Sequence, residues 1–249
     1  MAIKKTIPIE IVSTVAGLES IEECRPQPAI KFLPEWWKET KHISQRFTHQ
    51  TGKWPEVFAG NVKACPSFPD FFSQGVVIPM WTDTILRYNK NTTEYSWFTS
   101  NSDFKWDIHS NEQYIDDVNH SFLSKKASMV FKAVSPWRAI TPKGYSILQL
   151  PLFYHFNDDF TIMPGIIDTD IHSQLNQQVL YMSDKEEVFI KRGTPFVQYI
   201  PFKRENYSYK IGYRTEKQKY IFNNQDLDVH GKFGGSHWYR DKRKKRDGQ

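Results

Sequence analysis

The sequence predicts a mainly β fold, and three observations carry that prediction. From Ala127 onward, short apolar runs alternate with turn-forming clusters about every ten residues, the pattern of a sandwich or barrel. Aromatic residues are abundant, with 18 Phe, 12 Tyr and 8 Trp. Such side chains favour strands and fill large volumes between sheets. Pro8, Pro26, Pro28 and Pro34 break up the N-terminal segment. Proline removes a backbone donor and disfavours helix in the residue before it.

The elements follow in order along the chain. Ile7 to Val15 reads as a strand. Pro34-Glu35-Trp36-Trp37-Lys38 starts a short helix, with proline at its first turn. Trp36 and Trp37 point in different directions on it, so at least one packs inward. Residues 41–62 read as a connection with some helix. Gly75 to Met80, Thr84 to Tyr88 and Glu94 to Thr99 form a meander. The asparagines of Asn89-Lys90-Asn91 suit its second turn, because they tolerate the left-handed conformation. Residues 101–126 are polar and mixed and receive no assignment. Met129 to Val134, Tyr145 to Leu150, Gln178 to Met182, Val188 to Ile190 and Pro195 to Pro201 read as strands. Their separators include Thr141-Pro142-Lys143-Gly144, Asn157-Asp158-Asp159, Ser183-Asp184-Lys185 and Lys191-Arg192-Gly193. A short C-terminal helix is expected over Thr215 to Phe222. With no internal repeat and no linker in view, the expectation is one β-rich domain over 1–237, its core at 127–204, followed by a basic tail over 238–249.

Composition narrows the class. Apolar residues are 39% and charged residues 24%, a globular balance. The formal net charge is +5, and Arg240, Lys242, Arg243, Lys244, Lys245 and Arg246 against Asp241 and Asp247 put +4 of it in the tail. Two readings of the tail stay open: a solvated end, or an arm that seeks nucleic-acid phosphates without sequence preference. Cys24 and Cys65 are far apart and form neither a zinc knuckle nor a disulfide framework. There is no apolar leader and no run of ~18 apolar residues, so neither secretion nor a membrane partner is expected.

Several residue sets have the composition of a chemical site. Asp168, Asp170 and His172 are spaced by two and would share one face of an extended strand. Two carboxylates and an imidazole in a row suit Mg²⁺ or Mn²⁺, or the activation of a water. The same row also fits a solvated strand face or a charged rim. His155 and Asp158-Asp159 lie just upstream, and with His172 they have the makeup of a non-haem iron site of two histidines and a carboxylate. No spacing forces them together. His109 and His120 read as surface or capping residues. His230, His237 and Arg240 flank the stretch Gly231-Lys232-Phe233-Gly234-Gly235-Ser236, where phosphate contact and a free glycine-rich loop are both open. There is no G-x-S-x-G elbow, no phosphate-binding P-loop and no G-x-G-x-x-G. ATP-driven, dinucleotide-dependent and serine-nucleophile chemistry are therefore disfavoured.

Three segments between 136 and 204 carry a resemblance. Ile140-Thr141-Pro142-Lys143-Gly144-Tyr145, Gly165-Ile166-Ile167-Asp168-Thr169-Asp170 and Ile190-Lys191-Arg192-Gly193-Thr194-Pro195-Phe196-Val197-Gln198 occur in that order. Order and spacing resemble the core of the dUTPase and dCTP deaminase superfamily, a trimer-forming β-clip fold. The resemblance implies a β-clip-like core, a homotrimer, and Asp168 as the residue orienting an attacking water. It further implies Gln198 at a base or ribose, and Phe233, Gly234 and Gly235 in an arm over the ligand. The departures are specific. Ile171 stands where the family has tyrosine, Ser173 where it has glycine, and Pro151-Leu152-Phe153-Tyr154 where it has Pro-Arg-Ser-Ser. Pro28-Ala29-Ile30-Lys31-Phe32-Leu33-Pro34-Glu35-Trp36-Trp37 and Ser135-Pro136-Trp137 through Gly144-Tyr145-Ser146 resemble uncharacterised tailed-bacteriophage proteins, which bring no activity with them.

The function expected from these readings is a phage-encoded, non-catalytic assembly or binding protein on a dUTPase-like scaffold. Virion proteins, or nucleic acid through the tail, are its expected partners, in the virion or the cytoplasm of an infected cell. The alternatives are a metal-dependent dNTP pyrophosphohydrolase using Asp168 with Mg²⁺ or Mn²⁺, and a carbohydrate-binding module built on exposed rings.

Overall fold

The structure is a computed structural model, and it describes residues 6–40, 62–65, 67–109, 129–231, 241–242 and 244–245. The described strands are β1 (Glu10–Ser13), β2 (Gln27–Pro28), β3 (Val76–Pro79), β4 (Thr84–Tyr88), β5 (Tyr95–Thr99), β6 (Trp106–His109), β7 (Met129–Ala133), β8 (Trp137–Ile140), β9 (Tyr145–Leu150), β10 (Phe160–Ile162), β11 (Gly165–Ile167), β12 (Gln177–Tyr181), β13 (Glu187–Ile190) and β14 (Pro195–Lys203). The helices are α1 (Glu35–Glu39), α2 (Ser67–Phe72) and α3 (Glu216–Gly231). The chain is mainly β with a C-terminal helix, as the sequence predicts.

The contacts divide the chain into two units. The larger spans 6–32 and 75–204 and holds every described strand. Four antiparallel sheets build it, in the orders β11-β9-β14-β3-β2, β10-β12-β7-β6, β13-β4-β5 and β1-β8. Their inner faces enclose one continuous core that includes Trp81, Trp137, Phe131, Phe196, Tyr181, Leu86 and Ile147, all but shut off from water. Ring packing orders it: Trp81 meets Phe196 edge-on at 5.9 Å between centroids, and Phe131 lies 5.9 Å from Tyr181. The aromatic load of the sequence is in large part this core.

A buried polar relay ties the sheets together. The Gln177 amide donates to the Tyr199 hydroxyl at 2.6 Å, and that hydroxyl donates to Gln149 Oε1 at 3.0 Å. Gln149 Nε2 then donates to the Met163 carbonyl at 2.9 Å. Buried polar groups are retained where they satisfy one another. Gly75 is fixed by a close approach: φ is +66°, and an added Cβ would stand 1.9 Å from the Tyr199 carbonyl oxygen. Only glycine lets β3 begin this near β14.

The second unit comprises 1–5, 33–74 and 205–249. In its described part Trp37 is buried, 5.6 Å from Phe68 and 5.1 Å from Phe72 between ring centroids. Trp37 is thus the inward member of the Trp36-Trp37 pair. Helix α3 begins where Gln218 accepts hydrogen bonds from the Thr215 backbone N–H and hydroxyl, a reciprocal cap. It runs past Phe222, where the sequence reading stops, to Gly231. No helix among the described residues is long and apolar enough to cross a membrane.

Candidate functional site

The Asp168 segment is positioned by the edge of the largest sheet. β11 pairs antiparallel with β9, Ile167 opposite Ile147. The chain then turns instead of extending. The N–H groups of Ile171 and His172 both donate to the Asp168 carbonyl at 2.9 Å. Asp168, Asp170 and His172 therefore do not form the single-faced strand row that their spacing suggests. Asp-Thr-Asp side chains compete well for local backbone groups, which favours the turn. Thr169 points inward, its hydroxyl 2.8 Å from that of Thr141, while Ile171 and His172 are exposed.

The two carboxylates meet an arginine that the sequence reading does not single out. Arg204, just past β14, donates through Nη1 and Nη2 to both oxygens of Asp170. Its Nη1 also lies 3.0 Å from Asp168 Oδ1 and donates to Ser146 Oγ at 2.8 Å. The Ser146 hydroxyl donates in turn to Asp168 Oδ1 at 2.6 Å. The Gly144 N–H donates to Asp170 Oδ2 at 2.8 Å, and the Arg204 N–H to the Gly144 carbonyl at 2.8 Å. Gly144 holds this geometry with φ of +86°, in the left-handed region that glycine enters without strain. The Arg204 hydrogen bonds, then the Gly144 N–H, hold the Asp170 carboxyl down to about 2.

This arrangement is a latch. It fastens the turn after β11 to the 141–145 turn and to the end of β14. A divalent cation fits it poorly, because the guanidinium already stands between the two carboxylates and Asp170 has both oxygens engaged. Among the described residues, no group of three or more His, Cys, Asp or Glu is arranged to hold a metal ion.

A cavity of about 740 Å³ opens at the other end of β9. Pro151 to Phe153 and His155 to Ile162 form one side, and Lys185 and Thr194 to Phe196 complete it. Pro151-Leu152-Phe153 and Thr194-Pro195, far apart in the sequence, thus line one space. Phe153 and Phe156 are 52% and 68% exposed, so ring surface faces solvent there. Phe156 has φ of +49°, an uncommon conformation for a bulky residue. The charged groups are largely committed. Asp159 accepts from the Ser183 hydroxyl at 2.6 Å and from Lys185 Nζ at 3.0 Å, and these bonds hold its carboxyl below its ordinary value. The His155 ring lies 2.9 Å from the Phe32 carbonyl through Nε2. His155, Asp158 and Asp159 share the cavity wall, whereas His172 is not among the lining residues.

Gln198 is buried in β14, opposite Leu150 on β9 and Val77 on β3. It is two residues from Phe196 in the cavity wall. Ser146, which binds Asp168, lies opposite Phe202. Four residues of strand, about 13 Å at ~3.3 Å each, separate the two rows. Gln198 therefore belongs to the cavity end and Asp168 to the latch end. Phe233, Gly234, Gly235 and Arg240 lie outside the described residues, as do His120 and His237.

No protein-family profile matches the chain, and no curated protein does. Solved structures do. A mutant dUTPase from phage phi11 of S. aureus shares 11% identity over 84% of this chain and 99% of its own, with a TM-score of 0.35. A mutant dUTPase of Staphylococcus bacteriophage 80alpha shares 10% over 85% and 93%, with a TM-score of 0.38. The EIAV dUTPase shares 10% over 57% and 86%, with a TM-score of 0.31. At these values the likeness has no weight for activity.

Proposed function

We propose that this chain is a non-catalytic, phage-encoded binding and assembly protein on a dUTPase-like scaffold, working as a homotrimer. One observation carries the reading. Asp168, the residue that resemblance assigns to water activation, is held with Asp170 by Arg204 and Ser146, about the length of β9 away from the cavity. A general base must lie within hydrogen-bond reach of the proton it takes. The cavity itself presents phenylalanine rings where the resembled family has arginine and serine. The basic tail, +4 over 238–249, supports nucleic acid or a virion surface as partner.

The test is a panel of dNTPs and NTPs with Mg²⁺ or Mn²⁺, reading phosphate and pyrophosphate release, beside a duplex-DNA binding titration. The expected result is no turnover, with DNA retention that weakens with salt and falls when 238–249 are removed. Metal-dependent turnover of one nucleotide that disappears in Asp168→Asn would overturn the proposal and make the chain a nucleotide hydrolase.

A further inference from the structure

We propose that the outer edge of β5 is a strand-pairing surface for a second copy of this chain. The inference is independent of the cavity, and in the homotrimer proposed above it joins one trimer to another. β5 is Tyr95-Ser96-Trp97-Phe98-Thr99, and it closes the sheet β13-β4-β5. Among the described residues no strand pairs with its far edge. The direction of its free backbone groups follows from the hairpin. Asn89 N–H donates to Glu94 O at 2.9 Å and Ser100 N–H to Asp83 O at 3.0 Å, and the register runs Thr84–Thr99 to Tyr88–Tyr95. The even-numbered residues of β5 therefore bond to β4. Tyr95, Trp97 and Thr99 aim their N–H and C=O groups outward.

Proteins protect exposed edges with charge, proline or brevity. β1 carries Glu10, β8 Arg138, β6 Asp107 and β13 Glu187. Of the described edge strands of four or more residues, β5 alone has neither charge nor proline. It is also unusually apolar on both faces. Tyr95 and Trp97 stack at 6.4 Å on one face, 44% and 38% exposed, and Phe98 on the other is 61% exposed.

The occupant follows from the strand's own symmetry. Two copies of β5 paired antiparallel about Trp97 set Trp97 against Trp97 and Tyr95 against Thr99. All the outward groups are then satisfied by about six hydrogen bonds. The three rings of one copy expose roughly 300 Å², taking ~200 Å² for a fully buried ring. Edge-to-edge pairing covers the flanks of these rings and leaves their outer faces open, so the rings of two copies contribute less than about 600 Å², at most half of the ~1,200–2,000 Å² of a standard interface. The pairing is thus concentration-dependent rather than obligate.

Sedimentation of the full chain over a range of concentrations should show its mass rise with concentration above that of the proposed trimer. Phe98→Lys, at an exposed site, should hold the mass at its low-concentration value while the melting temperature stays unchanged. In a Cys65→Ser background, Trp97→Cys should oxidise to a disulfide-linked pair, since hydrogen-bonded partners stand about 5.5 Å apart between Cα atoms. Ser96→Cys, which faces Phe98 of the other copy, should not. A mass independent of concentration, a mass unaffected by Phe98→Lys, or equal cross-linking at 96 and 97 would each overturn the proposal.

Discussion

Removing one oxygen tests how far the core depends on its polar relay. In Tyr199→Phe the ring stays, and the hydroxyl between Gln177 and Gln149 is lost. Tyr199 is 1% exposed, so no water replaces it without rearrangement. Burial already pushes its hydroxyl above the ordinary range, and the group acts as a neutral donor and acceptor. Gln149 Oε1 loses its donor, and one amide N–H of Gln177 loses its acceptor. A buried polar group left unsatisfied costs about 1–3 kcal/mol, and replacing both partners by apolar groups is close to neutral. We therefore expect a loss of about 2 kcal/mol in urea unfolding. At roughly 2–4 °C per kcal/mol for a unit of this size, the melting temperature should drop by about 4–8 °C. Adding Gln149→Met should cost less than the sum of the two single changes. A Tyr199→Phe protein as stable as the parent would refute the reasoning, and strict additivity would show that the relay does not act as a unit.

Two further outcomes follow from the same structure. Gly75→Ala places a Cβ 1.9 Å from the Tyr199 carbonyl at a positive φ, so β3 must move from β14. The left-handed backbone alone costs about 1–2 kcal/mol, and the clash adds more, so the soluble yield and melting temperature should both fall. Wild-type behaviour would mean that this edge of the sheet is loose. For the latch, the Asp170 carboxyl at about 2 lies below the ordinary 3.8. A depressed folded-state value contributes stability above about pH 4 that is lost as pH falls toward 2. Asp170→Asn should therefore melt lower than the parent at neutral pH, with the gap closing over that window. A gap that stays constant down to pH 2 would rule out an ionised latch.

Strands bounded by strong turn chemistry were legible in the sequence. β4 and β9 fall on the residues expected, because each runs between a turn cluster and a clear apolar alternation. β10 and β11, three residues each, are too short for a period of two to register. β8 hides because Ala139, its buried residue beside Trp137, does not look apolar enough beside Arg138. Asp168 and Asp170 stand out by spacing, yet their partner Arg204 is 34 residues beyond Asp170. Only the pairing of β9 with β14 brings it there, and no local pattern encodes that. Gln198 stands out only through the resemblance, and its burial opposite Leu150 comes from the same long-range pairing.

The placement of charge bears on what the cavity can recognise. At the latch, Arg204 is engaged by both carboxylates. At the cavity, Lys185 is engaged by Asp159, and Asp159 also by Ser183. Paired groups of this kind meet a phosphate only by breaking existing bonds. Phe153 and Phe156 are the exposed rings of the cavity wall. The left-handed backbone of Phe156 costs about 1–2 kcal/mol in a non-glycine residue. Such strain persists only where the surroundings impose it, and it is found disproportionately at binding sites. Here Phe156 caps the turn from Phe153 to His155, and the His155 ring is fixed to the Phe32 carbonyl. With its charges paired, such a lining favours the binding role proposed above over recognition of a triphosphate.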